Sequence, residues 1–307
     1  MVDLHTHSNI SDGDLSPEML IKEAASRGLR AIALTDHDSI NGLESAKTTA
    51  KLQGDIHFIP GIEININWSG TRKDSGKKSV PRPGPGGEFH LLGLGINSPS
   101  RAFIASIKEL SRRREARNLQ ILDKMHELSI EASLEDLMAV AKHSSTGVAS
   151  GYSLGRLHFA ALLVEKKVVK NIDQAFSRYL GIGKPLYVPK EGLGFEEAAA
   201  LIRESGGIPV LAHPLSLFIA WGRLPDLIKI LKNMGLMGLE AWHPTAKAGA
   251  CRRLEALAKS LGLYVTEGSD FYGSARLDRK LGYSNKSRKI NDAVLEAIPE
   301  LNVKDIP

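Results

Sequence analysis

The chain has 307 residues, 42% of them hydrophobic, a formal net charge of +5 and a single cysteine. That length suits a barrel enzyme or a domain carrying an insertion, and the lone Cys251, following Ala250 in a helical pattern, excludes an internal disulfide and reads as a buried structural residue. No apolar run reaches the ~18 residues of a membrane span and the first residues are polar and histidine-rich, so a cytoplasmic protein is expected; the positive charge suits an anionic ligand without requiring one.

Residues 3–13 read Asp-Leu-His-Thr-His-Ser-Asn-Ile-Ser-Asp-Gly, a short strand-like run ending in His5, His7 and Asp12. In an extended strand residues two apart share a face, so His5 and His7 point one way while Leu4 and Thr6 point the other. Alone, such a pair is more often two solvated histidines near a chain end than a ligand pair. Ser16-Pro17 then marks the start of a helix that closes at Gly28. A strand over 30–34 runs into Thr35-Asp36-His37-Asp38, a helix covers 39–52, and a strand over 56–59 ends at Pro60-Gly61-Ile62-Glu63. Three strand–helix units with ionisable residues at each strand's C-terminal end predict a parallel barrel or sheet, whose sites gather at that edge.

Residues 68–87 carry five Lys or Arg and one Asp among Gly and Pro, and predict a mobile loop that either stays in water or sweeps over an anionic ligand. His90 opens an apolar strand. Parallel to the others, that strand would place His90 at the wrong edge, so an antiparallel hairpin returning it to Glu63 is expected. Helical periodicity runs from 98 to 185, an inserted subdomain within a barrel formed by 1–97 and 186–307. The helix over 101–128 has an apolar stripe at Phe103, Ile107, Leu110, Ile121, Met125 and Leu128 that is interrupted by Arg114, Arg117 and Asn118. These arginines either pair with nearby acids or face a cavity that holds phosphate. Ser133 and Asp136 form a capping-box start for the next helix. Arg156 and His158, taken alone, read as surface or packing residues.

A strand at Leu186-Tyr187-Val188 is expected to resume the barrel. Strands over 208–212, 238–242 and 263–266 follow, ending in His213-Pro214, His243-Pro244 and Gly268-Ser269-Asp270. Strands near residues 2, 30, 56, 90, 208, 238 and 263 make an α/β fold, a distorted seven-stranded TIM-like barrel.

His5, His7, Asp12, His37, Glu63, His90, His213 and Asp270 fall almost wholly at strand ends, whereas His126 and His143 lie in helices. That shared placement reads as a metal centre. Histidine and carboxylate ligands without cysteine fit Zn, Mn or Fe. The set is too large for one ion, so two or three divalent ions bridged by a carboxylate are expected, an arrangement used to hydrolyse phosphate esters.

His5-x-His7, Ser11-Asp12-Gly13, Thr35-Asp36-His37-Asp38, Gly61-Ile62-Glu63, His90-Leu-Leu-Gly, Ala212-His213-Pro214 and Gly268-Ser269-Asp270 together resemble the PHP (polymerase and histidinol phosphatase) phosphoesterases. The likeness spans nearly the whole chain. Residues 114–118, 155–160 and 175–181 resemble the helical insert of nucleoside 3',5'-bisphosphate phosphatases and related 5'-to-3' exoribonucleases. The resemblance implies a distorted (β/α)7 barrel and a trinuclear centre: His5, His7, Glu63 and Asp270 on one metal, Glu63, His90 and His213 on a second, Asp12 and His37 on a third. It places Asp12, His37, Glu63, His213 and Asp270 at the chemistry, with Arg114, Arg117, Asn118, Arg156 and His243 receiving substrate phosphate under a helical roof. The family pattern has histidine where this chain has Tyr272, a poor ligand as a neutral phenol, and a further histidine after His243-Pro244 where this chain has Thr245-Ala246-Lys247.

The expected activity is removal of the 3'-phosphate of adenosine 3',5'-bisphosphate, or cleavage of short RNA, by a metal-bridging hydroxide with no protein nucleophile and no obligate protein partner. Another small phosphomonoester such as histidinol phosphate is the alternative substrate. A nucleotide- or metal-binding protein with catalysis weakened through Tyr272 is the alternative of a different class.

Overall fold

A computed structural model describes residues 1–68, 87–144, 154–285 and 287–301; the basic segment expected at 68–87 lies, but for its two ends, outside them. The barrel opens with β1 (Val2–Asp3), α1 (Pro17–Ser26), β2 (Ala31–Leu34), α2 (Leu43–Gln53), β3 (His57–Asn67) and β4 (His90–Leu94). Ser16 caps α1 by accepting the Met19 N–H, and Gly28 leaves the helix at a positive φ of 72° that favours glycine. The strand expected to stop at Pro60 instead continues to Asn67. Its first part, through Pro60, pairs parallel with β2, and from Gly61 onward it pairs antiparallel with β4. Proline, lacking an N–H, does not end this strand because Pro60 lies where the strand changes partner, its carbonyl accepting the Gly95 and Ile96 N–H groups.

Next come α3 (Arg101–Glu127), α4 (Leu134–Ser144), α5 (Arg156–Glu165), α6 (Ile172–Ala175) and a π-helical turn over Phe176–Leu180. Ser133 and Asp136 cap each other's backbone N–H groups at the start of α4, as their spacing predicts. Leu186-Tyr187-Val188 is not a strand. Leu186 donates its N–H to Tyr179 O, and Leu186 and Val188 are buried against the helices, so their apolar character serves the helical core. The strand there is β5 (Leu193–Gly194), which pairs parallel with the end of β3. Then follow α7 (Phe195–Glu204), β6 (Ile208–Leu211), α8 (Leu224–Asn233), β7 (Gly238–Trp242), α9 (Ala248–Ser260) and β8 (Tyr264–Glu267).

The sheet runs β1-β2-β3-β4-β6-β7-β8 with β5 beside β3, and only β4 is antiparallel to its neighbours. A parallel bridge between Thr6 and Phe271 brings its two ends together, giving a nearly closed barrel with the seven main strands the sequence indicates. One hydrophobic cluster joins the barrel to its covering helices. A separate one is built from residues between Ile121 and Val188. The 27-residue α3, about 40 Å long at 1.5 Å per residue, belongs to both: Phe103, Ile107 and Leu110 to the first, Ile121, Leu122 and Met125 to the second.

Candidate metal centre

The barrel strands deliver their ionisable side chains to one edge. Beyond β1 the chain stays extended, so His5 and His7 both turn inward and are fully buried, their Nε2 atoms 3.2 Å apart. Glu63 points inward from the middle of β3. His37, beyond β2, pairs with it through a parallel bridge, and the reversed direction of β4 starts that strand at this same edge, with His90 Nδ1 3.0 Å from Glu63 Oε1. His213 and Asp270 follow β6 and β8 at φ 25° and 48°, and Asp38 has φ 48° as well. Left-handed backbone at non-glycine residues costs about 1–3 kcal/mol each and clusters where side chains must be aimed.

Glu63 divides the residues into two groups. Its Oε2 lies 3.5 Å from His5 Nε2 and 3.4 Å from His7 Nε2, while Asp270 Oδ1 lies 3.4 and 3.2 Å from the same two nitrogens. Its Oε1 lies 2.9 Å from His213 Nε2, which is 3.3 Å from His90 Nδ1. A third, looser group has Asp12 at 4.0 Å from His7 Nδ1 and 3.8 Å from His37 Nε2. A tetrahedral ion with bonds of about 2.0–2.2 Å holds its ligands about 3.4 Å apart. The first group matches that spacing. Glu63 Oε2, Asp270 Oδ1 and Asp12 Oδ1 are buried and face only imidazole nitrogens, with Glu63 Oε2 2.9 Å from His37 Nδ1, as expected of oxygens placed to serve cations. Nitrogen and carboxylate donors without sulfur suit divalent metal ions.

Protons balance these charges when no cation does. Burial opposes protonation of His5, but Glu240, Asp270 and Glu63 push its pKa well above the ordinary value. Burial likewise opposes protonation of His37, yet Glu63 and Asp12 raise its pKa to about 9. Burial would raise Glu63; His37, His90 and His5 hold its carboxyl well below the usual range.

Behind these residues stand others that sequence reasoning missed. Glu240, in β7, sits 2.9 Å from His5 Nδ1 and accepts the His213 backbone N–H at 2.6 Å. Its signal was available: it is a lone charge in an apolar strand. Asp36 accepts the Ser8 N–H and the Ser8 and Ser11 hydroxyls, fixing the turn that carries Asp12. Asp3 accepts the N–H groups of His5, Ser269 and Gly282, and burial raises its pKa to about 6. Arg279 is buried against Asp270.

A cavity of about 650 Å³ opens over the centre, lined by Asp12, His37, His90 and Tyr272 from the barrel and by Arg114, Arg117, Arg156 and Lys190. Arg114 pairs with Asp38 and donates to His37 O at 3.4 Å, and Arg156 pairs with Glu88 at 2.6 Å. Arg117 is buried, its Nε unpartnered; burial, then Arg114 and Arg156, lower its pKa to about 10. The other two residues assigned to phosphate lie elsewhere. Asn118 is buried and donates to Leu154 O at 3.0 Å, while His243 has Nε2 3.0 Å from Asp270 Oδ2 and Nδ1 2.7 Å from Thr245 Oγ1; neither lines this cavity. Tyr272 stacks on His7 with ring centroids 4.4 Å apart, and burial, then the Asp270, Asp12 and Glu63 charges, raise its phenol pKa well above the usual value.

A PHP domain family model matches residues 3–187. A 5'-3' exoribonuclease of Haemophilus influenzae is 33% identical over 88% of this chain and 89% of its own length. A 3',5'-nucleoside bisphosphate phosphatase of Chromobacterium violaceum is 30% identical over 92% of this chain and 91% of its own. The solved structure of an amidohydrolase from Chromobacterium violaceum with bound sulfate superposes with a TM-score of 0.78 at 28% identity, covering 96% of both chains.

Proposed function

The chain belongs to the PHP domain family of metal-dependent phosphoesterases, and on that premise we propose that it hydrolyses a substrate carrying two phosphates, the 3'-phosphate of a nucleoside 3',5'-bisphosphate or a terminal linkage of short RNA. One observation carries the choice: Arg114, Arg117, Arg156 and Lys190 share the cavity with the metal-ligand groups. A phosphomonoester needs the centre alone; a second cationic zone in the same space suits a second phosphate. The relatives that act on nucleoside bisphosphates and on RNA support the same class.

Two divalent ions, Mn, Fe or Zn, fit best. His5, His7, Glu63 and Asp270 would hold one, Glu63, His90 and His213 the other, and Asp12 with His37 a weaker third that Tyr272 barely supports. When bound, such ions supply Lewis acidity at phosphoryl oxygens and lower the pKa of water so that it attacks at neutral pH. The chain's own residues position the rest. Glu63 ties the two groups together, Glu240 and Asp270 orient the imidazoles, Arg114 and Arg156 fix the non-reacting phosphate, and the helical segment 98–185 roofs the site as a lid. Among the described residues no helix is long and apolar enough to cross a membrane; the cytoplasmic location proposed here rests on the nucleotide class of the substrate.

The test is phosphate release by Mn-reconstituted protein from nucleoside 3',5'-bisphosphates, nucleoside monophosphates, histidinol phosphate and a short RNA. Bisphosphates or RNA should exceed the monoesters in kcat/KM by at least about tenfold, the equivalent of one added charge-assisted contact. Equal or faster turnover of monoesters would overturn the two-phosphate reading.

A further inference from the structure

The cavity is larger and less uniform than its charged residues require. At about 650 Å³ it lies in the range of drug-sized ligand sites, and its lining is mixed in character. The cations share it with the metal-ligand groups, and Arg114 donates to His37 O. Its apolar lining residues are Leu157 from α5, Ile172 from α6 and Phe176 from the π-helical turn, all in the helical segment, and Leu277 beside the 273–276 turn of the barrel. Leu277 is 89% exposed, a large apolar side chain left in water beside a polar site. Covering such a group is favourable at about 25 cal/mol per Å².

Charge fixes which end of a ligand goes where. Asp173 and Asp278, lining acids that follow Ile172 and Leu277 in the chain, disfavour phosphate beside those two apolar residues, and Arg276 is turned back onto Asp278 at 3.2 Å. The anionic part of a ligand therefore belongs among the cations, and an uncharged, flat, apolar part belongs against the apolar lining residues. Phe176 is the only aromatic hydrocarbon ring among the described lining residues, and it begins a π-helical turn; such turns are rare and occur frequently at functional sites.

We propose that Phe176, which lines the cavity together with Leu157, Ile172 and Leu277, is a platform on which the base of a nucleotide stacks while its phosphate lies among Arg114, Arg117, Arg156 and Lys190. This rests on the nucleotide class proposed above and adds what discriminates a nucleotide from a bare sugar phosphate. Stacking on an aromatic side chain tolerates every base, since each has a π-face. The platform therefore selects for the presence of a base rather than its identity.

The experiment is titration calorimetry of the metal-loaded protein with a nucleoside 5'-monophosphate and, separately, with ribose 5-phosphate. Neither needs to be turned over. The nucleotide should bind about 5- to 150-fold more tightly, the range of one base–aromatic stack, with the gap collapsing towards one in Phe176→Ala and persisting in Phe176→Trp. Equal affinities in the unaltered protein, or a gap that survives Phe176→Ala, would overturn the platform. A variant that merely disturbed the fold would weaken both ligands together and leave the ratio intact, which also counts against it. Hydrolysis assays on the same preparation judge the bisphosphate reading separately: an intact base preference with no phosphate release would sink that reading and leave the platform standing.

Discussion

Glu240→Gln should damage the metal centre without touching a metal ligand. The glutamate makes two contacts, 2.9 Å to His5 Nδ1 and 2.6 Å from the His213 N–H. As a carboxylate it can only accept, so it holds the His5 proton on Nδ1 and leaves the Nε2 lone pair facing His7, Glu63 and Asp270. A glutamine can satisfy the His213 N–H only with its oxygen, which turns its NH₂ towards His5 Nδ1. The imidazole must then accept there and carry its proton on Nε2, aimed at the cation. Loss of such an orienting partner typically lowers metal affinity 10–100-fold, about 1.4–2.8 kcal/mol at 1.4 kcal/mol per decade. Chelator competition on the purified protein measures it directly, with circular dichroism confirming that the nearly isosteric variant folds. A Glu240→Gln protein that binds metal within about twofold of the unaltered one would show that His5 does not depend on this contact, and the argument from tautomer would fail.

Glu63→Ala should empty both metal groups at once, because its two oxygens serve different ones; elemental analysis showing full occupancy would refute the bridging assignment. Metal loading at pH 7.5 should release protons, since His37, with a pKa of about 9 in the metal-free protein, must lose its proton to bind; calorimetric heats independent of the buffer's ionisation enthalpy would contradict this. The sign for stability follows: a raised pKa stabilises the metal-free fold fully below about pH 6.5 and loses that contribution as pH rises through about 9, so the metal-induced gain in Tm should be larger at pH 9 than at pH 6. Alanine at Arg114, Arg117 and Arg156 together should raise KM for bisphosphate substrates more than tenfold, and an unchanged KM would make these arginines structural. Tyr272→His should tighten the third cation and raise kcat at limiting metal, with identical metal titrations for the two proteins counting against a weakened third site.

The barrel was legible because its signals are local. Alternation places His5 and His7 on one face, and the wrong-end position of His90 forces an antiparallel strand, which β4 is. What escaped were contacts made across the fold. Glu240 lies 235 residues from His5, and nothing near either announces the pair. The local pattern ends a strand over 56–59 at residues 60–63, whereas β3 runs on because it changes partner at Pro60. Leu186 and Val188 read as a strand because alternating apolar residues cannot say whether they face a sheet or, as here, a helical cluster. His243 sits at a strand end like the other histidines, yet both ring nitrogens are engaged by Asp270 and Thr245, a difference in partners that position alone does not reveal.

The arginines of α3 show the limit most clearly. An amphipathic stripe interrupted by Arg114 and Arg117 admits two readings, paired acids or a cavity, and the fold satisfies both. Above and below the interruption the helix packs into different cores, and the middle of the stripe, Arg114 and Arg117, lines the cavity between them. Arg114 meets Asp38 there and also lines the cavity. Arg117 meets no acid among the described residues and is nonetheless buried. Burying a cation without a partner is unfavourable by several kcal/mol. A helix selected only for stability would put leucine at that position, and the substrate phosphate proposed above would supply the partner that the arginine lacks.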